Sequence, residues 1–589
     1  MNKQDIAAVV LLFLLLIGWG YYQRTHMPPA PVKTPAGQGA ITNAPFAKPE
    51  AVKTNPPAPP ELTRAQEPQP ATNAPATSET HLVAEQTAVL ENSNIVVTVS
   101  SWGGGISRVQ LKDYKAVNRP DSGPLVLDFA AVPALALTGF PGLSTNADFD
   151  ITSSDGTVKA ARRLPGGLLT FERTYTIRGG YELDVTDTFT NEGAGPITLV
   201  PYGTTLGPMR VGAGESQSGG MSYLGIDTLA DTGGEGVKNW MYSGFLSKSP
   251  VVALFTEGKS RSDDLPLSVA LPTKIPMVWA AVKNKFFAQI LVPDGGSADC
   301  VLYAGRDPAS PKKADVRSVW AGMTYPEKVL EPGASFSRKM NYYVGPKKYS
   351  LLQKRSAKQA DIMEFGTWFG WICKILLPTL NVIQTVTRNY GVAIIVLTAL
   401  VRLILWPLTY KSTQSMKKMQ EINPQVAQIR EKYKDNPKRM NQEVMALYKK
   451  NKVNPMAGCL PILLQIPVFF GLFTVLRSAI ELRFATFLWI GDLSEPEGLF
   501  AGMIPIIGSL NILPLLMTGA TLLQQKLTPT TGDPSQQKMM MIMPVVMLFI
   551  FYSMASALVL YWTTSTCLAI VELYVQKRRA AMKAAAVAV

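Results

Sequence analysis

Gly391-Val-Ala-Ile-Ile-Val-Leu-Thr-Ala-Leu-Val-Arg402-Leu-Ile-Leu-Trp-Pro-Leu-Thr-Tyr410 is a bilayer's length of apolar chain with one charge inside it. At about 1.5 Å per residue, Arg402 lies roughly 16 Å from Gly391 and roughly 13 Å from Lys411. In a hydrocarbon core about 30 Å thick, that places the guanidinium near the midplane. Burying it there costs about 2.5–3.5 kcal/mol on insertion scales. No other long apolar segment brings a carboxylate to that depth. The one acid, Glu572, lies near the end of the last segment. The expectation is an unpaired intramembrane arginine facing a water-filled cavity, and the function is expected to reside in that cavity.

Working outward, apolar segments cluster at the N-terminus and after residue 365 of the 589-residue chain. Four later spans are expected at 455–476, 503–525, 539–554 and 555–575, beside 391–410. Several contain prolines, whose freed carbonyls need neighbours or water. Residues 1–26 carry the apolar run Ile6–Tyr22, with Trp19, Tyr21 and Tyr22 at its interfacial end. No small-residue cleavage site follows closely, so we read an uncleaved anchor rather than a signal peptide. Residues 27–80 hold thirteen prolines between Pro28 and Pro75 and are expected to be a disordered tether.

Residues 81–346 change to period-two alternation. Leu169–Ile177, then Gly179-Gly180, then Tyr181–Phe189 is a hairpin signal. Ile95–Val99, Leu125–Leu127 and Ile197–Val200 add strands, and the expectation is a large all-β sandwich. Gly258-Lys259-Ser260 looks like the end of a phosphate-binding loop, but Ala253 stands where its first glycine is needed. Residues 347–390 begin polar and turn apolar, interrupted by Lys374, Pro378 and Asn381, which suits an amphipathic helix in the interface better than a span.

Charge sets the orientation. Residues 411–454 hold eleven Lys/Arg against four acids, and the tail 576–589 carries Lys577, Arg578, Arg579 and Lys583. Both are expected in the cytosol. Counting back gives six spans, cytosolic termini and residues 27–390 outside. Met416, Met419, Ile422, Val426, Ile429 and Tyr433, then Met440, Val444, Leu447 and Tyr448 after a Lys434-Asp-Asn-Pro437 turn, recur at helical spacing. Residues 411–454 therefore read as a cytosolic helical hairpin. Its charge either only holds topology or contacts anionic lipid, ribosomal RNA or acidic nascent chains; sequence-specific nucleic-acid recognition is not expected. With two histidines, His26 and His81, and four cysteines far apart, nothing points to zinc hydrolysis, histidine catalysis, a metal or another cofactor.

The order of motifs resembles a known family. Gly391 through Arg402 and Pro407 is similar to the first core span of the YidC-type membrane protein insertases, in their Gram-negative form. Val453-Asn-Pro-Met-Ala-Gly-Cys-Leu-Pro461, Gln465-Ile-Pro467 and Leu488-Trp-Ile-Gly-Asp-Leu493 follow. Leu527-Thr-Pro-Thr530, Asp533-Pro-Ser-Gln-Gln-Lys538, Met543-Pro544 and Leu558-Val-Leu-Tyr-Trp562 complete the set.

The resemblance implies five core helices around a hydrophilic groove open to cytosol and lipid, and a β-supersandwich outside an inner membrane. It implies a non-enzymatic insertase and chaperone for nascent membrane proteins, working alone or with the Sec translocon. Arg402 would be the groove arginine, faced by Gln465, Tyr561, Trp562 and Ser565. Trp562 replaces the tyrosine of some relatives, and its indole donates but cannot accept. The short Ala-rich tail lacks the long basic extension of some relatives, so ribosome contact would fall to the hairpin. The competing reading is an anion transporter or channel built on the same arginine, although no internal repeat is visible. A tethered periplasmic enzyme or sugar-binding module would leave the later spans unexplained.

Overall fold

The computed structural model describes residues 84–587, apart from 213–222, 232–236, 242–267, 307–316, 454–459, 501–508, 529–533 and a few isolated positions. The N-terminal anchor, the tether and Gly258–Ser260 lie outside the described residues.

The alternating stretch forms the expected hairpin. Leu169–Gly179 pairs antiparallel with Glu182–Asn191, with Phe171 opposite Phe189 and Tyr175 opposite Val185. Gly180 takes φ +55°, a left-handed turn conformation that glycine adopts without penalty. Alternate residues of both strands face the core. The exception to simple alternation logic is Arg173, which occupies an inward position at 1% exposure. It is satisfied across the hairpin by Asp187, with Nε–Oδ1 at 2.5 Å and Nη2–Oδ2 at 2.6 Å, and by the Leu135 carbonyl.

This hairpin is the middle of a nine-stranded sheet, faced by a six-stranded sheet and flanked by a four-stranded and a two-stranded one. Every described strand pairing is antiparallel. Aromatic rings join the two large sheets: Phe189 lies 5.2 Å from Tyr202, and Tyr202 lies 5.2 Å from Tyr325. Gln289 bridges the layers by accepting from Gly207 N at 3.0 Å and donating to Gly207 O at 2.9 Å. This is the large β sandwich expected from the sequence.

After the strand Ser335–Pro346 come a helical turn Tyr349–Leu352 and a 3-10 turn Gln359–Met363. Among the described residues, seven α-helices follow: α1 Gly370–Thr387, α2 Tyr390–Lys432, α3 Pro437–Lys450, α4 Leu460–Ser478, α5 Ile512–Leu527, α6 Pro534–Phe551 and α7 Ser556–Val587. Among the described residues, two helical stretches are long and apolar enough to cross a membrane, Tyr390–Lys432 and Ser556–Arg579.

Several boundaries differ from the sequence expectation. Helix α2 does not stop at Tyr410; it runs 43 residues in all, from Tyr390 through Pro407 and Pro424 to Lys432. Polarity changes at Lys411, but helical hydrogen bonding does not depend on polarity. The first turn signal is Lys434-Asp-Asn-Pro437, where Asn436 accepts from Arg439 N at 3.1 Å and Pro437 opens α3. Among the described residues of this hairpin, Met419, Ile422 and Val453, with Tyr448 against them, form a small core. Helix α5 begins at Ile512, where Leu510 bridges Leu499 and the Glu497 carboxylate caps Ile512 N at 2.9 Å and Leu513 N at 2.5 Å.

The sandwich is docked on the ends of the helices. Lys285 donates to Glu495 at 2.6 Å and to the Ser494 carbonyl at 2.9 Å. Asn118 donates to the Gly491 carbonyl at 2.7 Å, and Arg483 to the Lys115 carbonyl at 2.8 Å. Lys283 is wholly buried between Asp227, at 2.6 Å, and Glu364. Burial opposes charge on Lys283, but the two carboxylates outweigh it and raise its pKa. Burial likewise opposes charge on Glu364, and Lys283 and Lys347 outweigh it and lower its pKa. Asp227 is pushed up to about 6 by burial despite Lys283, and its Oδ1 has no hydrogen-bond partner among the described residues.

Candidate functional site

Helix α2 starts cleanly because Asn389 caps it, accepting from Val392 N at 3.1 Å. Its first turns are anchored: Gly391 lies so close to Phe487 that a Cβ there would meet the ring at 2.2 Å. Helix α7 is anchored at the same end of the bundle, where Ser556 donates to the Glu495 carbonyl at 2.7 Å. Both helices run away from the sandwich side by side, with a constant register between them. Arg402 meets Ser565 and Thr409 meets Glu572, each pair 163 residues apart in sequence.

The side chains converge on one hydroxyl. Arg402 donates to Ser565 Oγ from Nε and Nη2, both at 3.1 Å. Gln465, on α4, donates to the same oxygen at 3.3 Å. The remaining guanidinium nitrogen, Nη1, lies 3.8 Å from Glu572 Oε2, with the arginine side chain 20% and the glutamate 14% exposed. Glu572 is itself held: Thr409 donates to Oε1 at 3.0 Å and Gln576 at 3.2 Å. Thr398, Val401, Leu405, Val468 and Tyr561 complete the walls of a cavity of about 20 Å³. That volume holds about one water molecule.

One expectation is corrected here. Arg402 is not unpaired. Glu572 sits two helical turns beyond Ser565, but the long arginine side chain runs along α7 and closes the gap. Among the described residues, the space lined by Arg402 is about one water in size. Of the expected facing residues, Gln465, Tyr561 and Ser565 line the cavity with Arg402. Trp562 does not. It packs edge-on against Phe469 at 5.1 Å and against Phe551 at 5.3 Å, because the residue after Tyr561 is turned about 100° around the helix. Sequence reasoning missed Glu572 as a partner, together with Thr398, Thr409 and Gln576. The signal was present: Tyr561, Ser565 and Glu572 follow at spacings of four and seven on one helix face.

Helix α1 packs one face against α4. Cys373 lies 3.4 Å from the Gly471 carbonyl, and a Cβ on Gly471 would meet Ile372 at 2.8 Å. Its other face exposes Trp371, Ile375, Val382 and Val386. Among the described residues, no group of His, Cys, Asp or Glu is arranged to hold a metal ion.

The family described as 60Kd inner membrane protein matches residues 382–583, and that described as YidC periplasmic domain matches residues 87–378. The "Membrane protein insertase YidC" of Nitratidesulfovibrio vulgaris is 32% identical over 97% of this chain and 98% of its own length. That of Syntrophobacter fumaroxidans is 40% identical over 57% of this chain and 58% of its own length. A crystal structure of an active YidC insertase, with its first transmembrane domain resolved, covers 84% of this chain and 93% of its own, at 18% identity and a TM-score of 0.32. With near-complete coverage by curated relatives, and with its sandwich and helical regions each matched by the corresponding family, the chain belongs to the YidC family of inner-membrane protein insertases.

Proposed function

We propose that this chain inserts nascent membrane proteins into the inner membrane, and that the Arg402 cavity receives the polar end of the client. The observation that carries the reading is a guanidinium on a lipid-length helix that is held but not saturated. A single hydroxyl takes two of its nitrogens, and the third has only a carboxylate 3.8 Å away. A client's short acidic tail is drawn to that cation while its apolar helix enters lipid beside α4 and α7. At about 25 cal/mol per Å² of apolar surface, burial of a whole client helix outweighs the cost of passing a short tail. No nucleotide and no cofactor enters this scheme. The anion-transporter reading gives way to the family assignment.

The topology that suits this role has six spans: the N-terminal anchor, α2, α4, α5, α6 and α7. Both termini lie in the cytosol, and residues 27–390 lie outside. Helix α1 lies in the interface, with Trp371, Val382 and Val386 turned to lipid. The hairpin made by the end of α2 and by α3 contacts anionic headgroups or the ribosome through its basic excess, and the Sec translocon is a working partner for larger clients.

Reconstitution into protein-free liposomes tests the reading. A single-span client with an acidic tail should integrate without nucleotide. Arg402→Glu should reduce its integration roughly fivefold or more, and that of a neutral-tailed client far less, because like charges now face each other. Equal loss for both clients would count against direct attraction.

A further inference from the structure

The carboxylate next to Arg402 belongs to this chain, and its setting resembles an occupied docking place more than a structural ion pair. A structural pair in this protein looks different: Arg173 and Asp187 exchange two hydrogen bonds at 2.5 and 2.6 Å with both side chains at 1% exposure or less. Glu572 stands off at 3.8 Å. It has its own anchors in Thr409 and Gln576, which hold it whether or not Arg402 is near. A water-sized space adjoins the arginine. The acid can therefore yield the guanidinium without being left unsatisfied, and a client carboxylate that reaches Arg402 competes with it for the same cation.

We infer that Glu572 is a built-in competitor for the client's acidic tail. It sets how much negative charge a tail must carry before Arg402 engages it, which makes it a specificity-determining residue of the insertase. The inference rests on the reading above, that Arg402 attracts acidic tails. With Glu572 in place, the local field at Arg402 is partly cancelled, so a tail with one carboxylate gains little over a neutral tail. A tail with several carboxylates outcompetes the single internal one. Chain-borne charge thus acts as a threshold, and weakly acidic or neutral tails are handled alike.

The unmodified full-length protein in liposomes provides the first test. Clients that differ only in tail, with neutral Asn, one Asp or three Asp, should show little gain for one Asp and a gain of about threefold or more for three. A full gain already with one Asp would overturn the inference. The second test uses Glu572→Gln, which retains hydrogen bonds to Thr409 and Gln576. The ratio of one-Asp to Asn integration should rise about three- to tenfold, and Glu572→Asp should keep the ratio near that of the unmodified protein. A ratio unchanged in Glu572→Gln would overturn the proposal. The double variant Arg402→Gln/Glu572→Gln separates the two layers. A rise that persists there shows that Glu572 does not act through Arg402. If Arg402→Gln alone leaves all tails equivalent to the unmodified protein, the attraction by Arg402 fails instead.

Discussion

Two cations of this chain, Lys283 in the sandwich and Arg402 among the helices, are held in opposite ways. Lys283 is fully enclosed, touches Asp227 at 2.6 Å and Glu364 on its other side, and also lies 3.4 Å from the Ile362 carbonyl. Arg402 keeps a fifth of its side chain exposed, shares one hydroxyl with Gln465, and has its acid at 3.8 Å. The first arrangement ties a sandwich strand to the segment that leads into α1, and nothing can exchange with it. The second leaves room for about one water beside a cation whose acid stands off at 3.8 Å. A buried charge that is saturated specifies a dock, whereas one that is half-satisfied retains binding capacity.

The sharpest way to break this contrast is to remove Lys283. Lys283→Met leaves two carboxylates facing each other without the cation that touches both, and losing one partner of a buried pair costs about 3–5 kcal/mol. Unfolding of the sandwich within the full-length protein, in detergent, should show a loss of that order. A loss below about 1 kcal/mol would mean that the cluster is as loose as the one at Arg402.

The pH dependence sharpens the same point. Glu364 has a lowered pKa in the fold, so its contribution is present above the usual 4.5 and is lost as pH falls through the folded value. Lys283 has a raised pKa, so its contribution holds below 10.5 and is lost as pH rises through the folded value. Asp227, raised from 3.8 to about 6, works the other way, since its contribution falls as pH rises across that window. In the unmodified protein the two carboxylates therefore oppose each other in mild acid. In Lys283→Met both prefer the proton, and stability should climb as pH drops from 7 toward 4. Melting temperatures across that range, compared between the two proteins, check the change of sign.

The sequence made one of these cations conspicuous and hid the other. Arg402 stood out because a charge inside an apolar run is costly. Lys283 lies in Met277–Lys283, followed by Asn284-Lys285, where a lysine near a strand end reads as turn polarity. Its burial depends on Glu364, 81 residues away, and on Asp227, 56 residues away. Arg173 was hidden similarly, since alternation places Phe171 and Tyr175 inward but assigns no partner to a charge between them. The hairpin around Gly179-Gly180 was readable because pairing there is local. The order of the nine-stranded sheet was not, because strands far apart in sequence become neighbours. Hydropathy marked where α2 leaves the apolar region, but not that the helix goes on to Lys432. The Arg402–Glu572 contact required the register of α2 against α7, which no single helix carries.

The smallest effect is expected at Ser565, and its direction is the informative part. Ser565→Ala removes the oxygen on which Arg402 and Gln465 both rest. A net hydrogen bond is worth about 0.5–1.5 kcal/mol, and one to a charged group somewhat more. Thermal stability should therefore fall by only a few degrees. Deprived of the hydroxyl, the guanidinium has Glu572 as its remaining described partner and should move toward it. The preference for three-Asp over Asn tails should then drop about twofold, and Glu572→Gln added to Ser565→Ala should restore it. If Ser565→Ala instead destabilised the protein as severely as Lys283→Met, the arginine would be as firmly built in as the lysine. An exchangeable cation needs weak tethers, and Ser565 is the tether whose strength can be measured directly.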